Sequence, residues 1–229
     1  MSQIAMHIIA RIHTEFPTKF GVPRQSGLVD SLRASIVFEE EYRNPDALRG
    51  MEGFSHLWLI WQFSQAVREG WSPTVRPPRL GGNTRMGVFA TRSPFRPNAI
   101  GLSSVKIEEI QGNTPQGPVI WVSGADLMDG TPILDIKPYL PFTDSHPDAL
   151  GGFADPVRDH ALEVEIPLVL LEKVPADKRR ALHDVLAQDP RPSYQNDPDR
   201  IYGMEFGGQE IRFRVENDRL TVCEVLNLH

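Results

Sequence analysis

The chain has a single cysteine, Cys223, so no internal disulfide can form, and a reducing cytoplasm is the compartment this composition fits. Within "LTVCEVL" that cysteine reads as a buried strand residue. No run of about 18 apolar residues occurs, so no membrane-crossing helix is expected. The start, "MSQIAMHIIARIH", has no basic leader and carries His7 and Arg11, so it reads as a first strand rather than a signal peptide. The glycine fingerprints GxGxxG and GxxxxGK[ST] are missing. "RLGGNTRMG" (79–87) has glycines at neither spacing, and a Rossmann or P-loop nucleotide site is not expected. HExxH is missing too, and one cysteine cannot build a structural zinc site, so no metal is expected. There is no GxSxG elbow, and His56, Ser93 and Asp126 could in principle assemble a triad, but sequence alone cannot bring them together. Positive charge is in deficit: 24 Lys and Arg against 30 Asp and Glu leave a net charge of −6. That balance disfavours a general nucleic-acid coat but still lets arginines gather on one face.

Prolines and glycines, 20 and 18 of them, are frequent, which favours short strands and turns over long helices. Strands are predicted over 3–13, 34–38, 57–63, 86–91, 102–110, 119–125 and 160–171. Several alternate, with Val105 and Ile107 set against Lys106 and Glu108, as suits a sheet with one buried face. About seven such strands predict a barrel or sandwich. A helical start is predicted at Asn44-Pro45, the asparagine capping and the proline in the first turn. The pattern changes near residue 172. Ala181, Leu182, Val185 and Leu186 fall at helical spacing within 175–188, opposite Lys178, Arg179 and Arg180. A polar loop (189–200) and three strands follow, with Asn217-Asp218 as a tight turn. The fold class is therefore mainly β: an N-terminal β-barrel domain, 1–168, and a small α+β domain, 169–229.

"TRSPFRPNAIGLSSVKIEEI" (91–110) stands apart. Pro94 and Pro97 stiffen a loop that carries Arg92 and Arg96, whose permanent charge and planar fork suit carboxylate or phosphate. Asn98 offers both a donor and an acceptor, and Gly101 permits close approach of backbone. Taken alone, the loop also reads as an ordinary turn whose arginines pair with surface acids.

Five stretches, in this order, resemble the TrmO/TsaA-like (YaeB-like) family: "GVPRQSGL" (21–28), "GMEGFSHLWLIWQF" (50–63), "TRSPFRPNAIGLSSVKI" (91–107), "GADLMDGTPILDIKPYLPFTD" (124–144) and "DPRPSY" (189–194). They cover most of the chain, with Ala99 standing where the family pattern expects a second proline. The resemblance implies an S-adenosyl-L-methionine-dependent tRNA (adenine-N6)-methyltransferase whose cofactor sits on a β-barrel rather than a Rossmann sheet. It implies a homodimer with sites near the subunit interface, and an acceptor, N6-threonylcarbamoyladenosine, next to the anticodon of threonine tRNAs.

Carried over residue by residue, the resemblance puts the cofactor against Pro23, Arg24, Gln25, His56, Leu57, Arg92, Leu102, Asp126, Leu127, Asp129, Gly130 and Thr131. A methionine carboxylate suits Arg24 or Arg92, and a sulfonium or ammonium suits Asp126 or Asp129. Arg92, Arg96 and Asn98 are expected to hold the acceptor's carboxylate and carbonyls. No residue presents itself as a general base. Lys178, Arg179, Arg180 and Arg191 are expected on RNA phosphates, with Tyr194 stacking on a base of the anticodon arm. Two other readings stay open: a cofactor-binding module without catalysis, and a methyltransferase whose acceptor is not tRNA.

Overall fold

The computed structural model describes residues 4–77, 84–157, 161–191 and 197–228. Twelve short strands make up most of its regular structure: β1 (Ala10–His13), β2 (Arg33–Phe38), β3 (His56–Gln62), β4 (Thr74–Val75), β5 (Met86–Gly87), β6 (Ile100–Thr114), β7 (Gly117–Ser123), β8 (Thr131–Pro138), β9 (Glu163–Glu165), β10 (Tyr202–Phe206), β11 (Gln209–Glu216) and β12 (Arg219–Asn227). Six of them close an antiparallel barrel in the order β1-β2-β7-β6-β3-β8, the seam being β1 against β8. Alternation explains it. Leu57, Leu59 and Trp61 point inward with Val105, Ile120, Val122 and Ile133, while His56, Trp58 and Ile60 face out.

Gly101 is fixed by this packing. A Cβ there would meet the Trp61 indole at 2.2 Å, so the space a side chain would need is filled by the protein's own core. Overpacking such a site costs about 1–3 kcal/mol. Gly101→Ala is expected to lower the urea midpoint accordingly, with displaced tryptophan emission. An unchanged midpoint would mean the indole shifts freely.

The second sheet has the order β10-β11-β12-β9, with β9 parallel to β12. Gly207 and Gly208, both at positive φ, make the two-residue turn between β10 and β11, and Asn217, at φ 54°, opens the turn to β12. A helix, Arg179–Ala187, buries Ala181, Leu182, Val185 and Leu186 against the sheet. The core of this unit also takes Phe16, Val29 and Leu32, all from the β1–β2 connection. That connection is thus shared between barrel and second sheet.

Several expectations change. The strand predicted over 160–171 is only Glu163–Glu165, and it joins the second sheet. β1 starts at Ala10, not at residue 3. The segment 86–91 breaks after Gly87 into a 3-10 turn. The helix expected at Pro45 is one 3-10 turn, Pro45–Leu48, capped by Asn44 Oδ1 accepting from the Asp46 N–H at 3.0 Å. Cys223 is exposed, not buried: Leu220 and Val222 take the inward positions of β12, and a register shift at Arg212/Phe213 passes the next inward place to Val225.

Candidate active site

The site grows from a mismatch in strand length. From Ile100 to Lys106, β6 pairs with β3, whereas β7 begins to pair with it only at Lys106↔Ser123. The other edge of β6 between 100 and 105 therefore has no strand beside it among the described residues. The loop 23–28 and the continuation of β7 take that place. Ser26 Oγ accepts from the Ser104 N–H at 3.2 Å, and the Gly27 N–H donates to the Gly124 carbonyl at 2.9 Å.

Asp126 lies at the centre of this edge, partly buried. Ser103 Oγ donates to its Oδ1 at 2.5 Å and itself accepts from Trp61 Nε1 at 2.9 Å. Burial pushes the Asp126 carboxyl above its ordinary range. Hydrogen bonds from Ser103 and from the Ser26 backbone, and the nearby Arg92 charge, pull the other way. Arg92 Nη1 donates to Gln25 Oε1, and Gln25 Nε2 donates to the Arg24 carbonyl. Leu102 is 56% exposed on the outer face of β6, beside Ile60 of β3. A partly accessible carboxylate and a guanidinium held by a neutral amide thus lie together beside β6, with Leu102 exposed on that strand's outer face. This donor set fits a ligand carrying a cationic centre, a carboxylate and an apolar ring, as S-adenosyl-L-methionine does.

Other expected cofactor contacts are engaged elsewhere. Arg24 Nη2 donates to the carbonyls of Asp189 (3.1 Å) and Arg191 (3.2 Å), so it ties the site loop to the second unit rather than offering a free fork. Leu57 and Leu127 are core side chains, leaving only main chain at those positions. Pro23 is buried in its loop. Asp129 Oδ1 accepts from the Thr14 N–H at 3.1 Å and faces His13 Nδ1 at 3.2 Å. The Gly130 N–H donates to the Ile12 carbonyl at 2.9 Å, and Thr131 Oγ1 to that of Met128 at 2.7 Å. These three residues close the barrel seam. His56 starts β3, opposite Lys106, with Ser55 Oγ 2.9 Å from its Nδ1 and Tyr139 beside it.

Of the expected acceptor residues, Arg96 donates through Nη1 to the Thr91 carbonyl at 3.1 Å and keeps its other nitrogens, while Asn98 is exposed. The expected RNA contacts fare differently. Lys178 pairs with Glu15 at 2.7 Å, and Arg179 donates to the carbonyls of Val174 and Glu172. Arg191 is 9% exposed in a forked ion pair with Asp189. These three cations are structural. Arg180 is 86% exposed, 3.7 Å from Asp184, and Tyr194 lies outside the described residues. Sequence reasoning missed Ser103 and Ser26. The signal for Ser103 was available: in "LSSVKI" it has the inward parity of Val105, where a serine needs a polar partner.

Residues 11–145 match the family described as tRNA-methyltransferase O N-terminal domain, and residues 161–228 match TrmO C-terminal domain. A tRNA (adenine(37)-N6)-methyltransferase of Escherichia coli (strain K12) is 44% identical over 223 residues, 94% of either chain. A protein of the same name from Eikenella corrodens is 51% identical over 174 residues, 76% of this chain and 97% of that one. The crystal structure of TrmO from Pseudomonas aeruginosa is similar at a TM-score of 0.77 and 32% identity, covering 99% of this chain and 100% of that chain.

Proposed function

The chain belongs to the tRNA-methyltransferase O family, and on that footing we propose that it methylates N6 of the adenine at position 37 of tRNA with S-adenosyl-L-methionine as donor. The finer reading is that this adenine carries a threonylcarbamoyl group in threonine tRNAs, and that the protein works as a cytoplasmic homodimer. The observation that supports the site best is the Asp126 carboxylate beside Arg92 on the unpaired edge of β6.

When bound, the cofactor supplies a methyl group on a positively charged sulfur, already activated for transfer. The protein's task is alignment and charge. Asp126, held by Ser103 and Ser26, would face the cationic part of the donor. Arg92, propped by Gln25, would take the methionine carboxylate, and the exposed Leu102 would offer the purine an apolar face. Arg96 and Asn98 receive the threonyl carboxylate and carbamoyl oxygen of the acceptor, orienting N6. As the carbon–nitrogen bond forms and the methyl–sulfur bond breaks, with that electron pair leaving on S-adenosylhomocysteine, the N6 proton would pass to the acceptor's own carboxylate.

The test is incubation with labelled cofactor and threonine tRNA, with and without the threonylcarbamoyl group. Label entering only the modified RNA is expected. Label in both would remove the finer reading, and cofactor binding without any transfer would leave a binding module.

A further inference from the structure

Between Glu69 and Glu108 the sequence carries Arg76, Arg79, Arg85, Arg92, Arg96 and Lys106 and no acidic residue, in a chain whose net charge is −6. Arg79 lies outside the described residues; the others can be followed. Lys106 pairs with Glu108, but Arg76, Arg85, Arg92 and Arg96 make no ion pair among the described residues. In the second unit Lys178, Arg180, Arg191, Arg212 and Arg219 each face an acid, whereas Lys173, Arg179, Arg200 and Arg214 make no ion pair among the described residues. Four of the five described cations between Glu69 and Glu108 thus lack an acid partner among the described residues.

Aromatic side chains stand among these arginines with their surfaces open. β4 and β5 form a two-stranded ribbon outside the barrel, with Thr74 opposite Gly87 and Val75 opposite Met86. Trp71, 54% exposed, precedes it, and Phe89, 71% exposed, follows it; their ring centroids are 5.9 Å apart at 31°. The base is anchored, because Val88 is buried and its N–H donates to the Pro73 carbonyl at 2.9 Å. Arg68 lies 3.9 Å above the exposed ring of Phe95. The chain runs from Phe89 directly into Arg92, Phe95 and Arg96, so this surface is continuous with the site loop.

Open rings interleaved with unpaired cations are what single-stranded nucleic acid selects: bases stack on the rings and phosphates track the charges. Aromatics and arginine also mark protein interfaces, but cations unopposed by acids over 38 positions suit a polyanion such as RNA. We propose that the β4–β5 ribbon and its flanks are the landing surface for the unpaired anticodon-loop strand of the substrate RNA, with Trp71 and Phe89 stacking on bases and Arg76 and Arg85 on phosphates. The proposal rests on the tRNA reading above and replaces the helix Arg179–Ala187 as the principal RNA contact.

The experiment measures binding of the full chain to threonine tRNA across a salt series, with cofactor binding measured in parallel. Trp71→Ala is expected to weaken RNA binding about tenfold, and Trp71→Phe much less, because stacking on one ring contributes on that order. Arg76→Ala with Arg85→Ala should flatten the log K against log salt slope by nearly one per residue. Cofactor affinity stays unchanged in all of these, and Lys178→Ala or Arg180→Ala leaves the slope alone. If the unaltered protein binds tRNA and these ribbon variants bind it equally well, the surface is wrongly placed while the function stands. If the unaltered protein neither binds nor methylates tRNA, the functional reading itself fails. Ribbon variants that alter self-association but not RNA affinity would make this face a contact between copies and overturn the proposal.

Discussion

Asp126→Asn is expected to weaken S-adenosyl-L-methionine binding by about thirtyfold or more while changing S-adenosylhomocysteine binding by no more than about threefold, since losing one partner of a desolvated charge contact costs about 2–5 kcal/mol. The two ligands share carboxylate, ammonium and nucleoside, and differ by the methyl group and the sulfonium charge. A carboxylate next to the sulfur must discriminate between them; one next to the ammonium or ribose need not. Ser103 and the Ser26 N–H hold Asp126 in place, so the amide, close in shape, keeps most of that geometry. Parallel titrations of both ligands by calorimetry read the difference directly. Equal losses would move Asp126 away from the sulfur.

The same residue carries a pH signature. Burial raises the folded-state pKa of Asp126, so in the ligand-free protein this carboxyl holds its proton to higher pH than in the unfolded chain. Stability contributed by the protonated form is complete below the unfolded pKa and is lost as pH rises through the folded one. The difference in Tm between the unaltered chain and Asp126→Asn should therefore shrink or change sign on raising pH from about 4 through that window. A cationic ligand opposes the shift by favouring the ionised form, so donor affinity rises with pH over the same range and proton release accompanies binding. A flat difference curve would show that folding does not shift the Asp126 pKa.

Much of the barrel was legible because its strands alternate. Leu57, Leu59 and Trp61 against Trp58 and Ile60 is a period that only a one-sided sheet uses. β8 escaped because "TPILDIKP" buries Thr131, Pro132 and Ile133 in succession and then turns outward with Asp135 and Lys137, which hides the alternation. At the site, Arg92, Gln25 and Asp126 were legible through their motifs and do meet. Arg24, Lys178 and Arg191 show the limit of reading charge in one dimension. Glu15 lies 163 residues from Lys178, and Arg24 caps carbonyls 165 and 167 residues away, so nothing local marks these cations as engaged. Trp71 and Phe89 carried no periodic signal because they flank a two-residue ribbon instead of lying within a long strand. What a linear reading could have noted is the missing acid: 38 positions, from 70 to 107, pass without an aspartate or glutamate.

Arg96→Ala should lower kcat/KM on threonylcarbamoylated tRNA by about a hundredfold to a thousandfold, the scale of a lost charge-assisted fork that acts on the reacting group, with the cofactor Kd within about twofold of the unaltered protein. The guanidinium is half-committed: one nitrogen braces the Thr91 carbonyl at 3.1 Å, and the remaining donors project from a loop stiffened by Pro94 and Pro97. That brace raises a competing account, in which the substitution merely loosens the loop and drags Arg92 with it. The two accounts separate cleanly. A loosened loop weakens cofactor binding along with turnover, because Arg92 shares the segment; a lost acceptor contact spares the cofactor. Arg96→Lys sharpens the distinction, since lysine keeps the charge but presents no planar fork, so it should recover KM more than kcat if the carboxylate must be oriented as well as attracted. Parallel loss of cofactor affinity and turnover in Arg96→Ala would assign Arg96 to the loop's architecture and leave the acceptor carboxylate to Asn98 and Arg92.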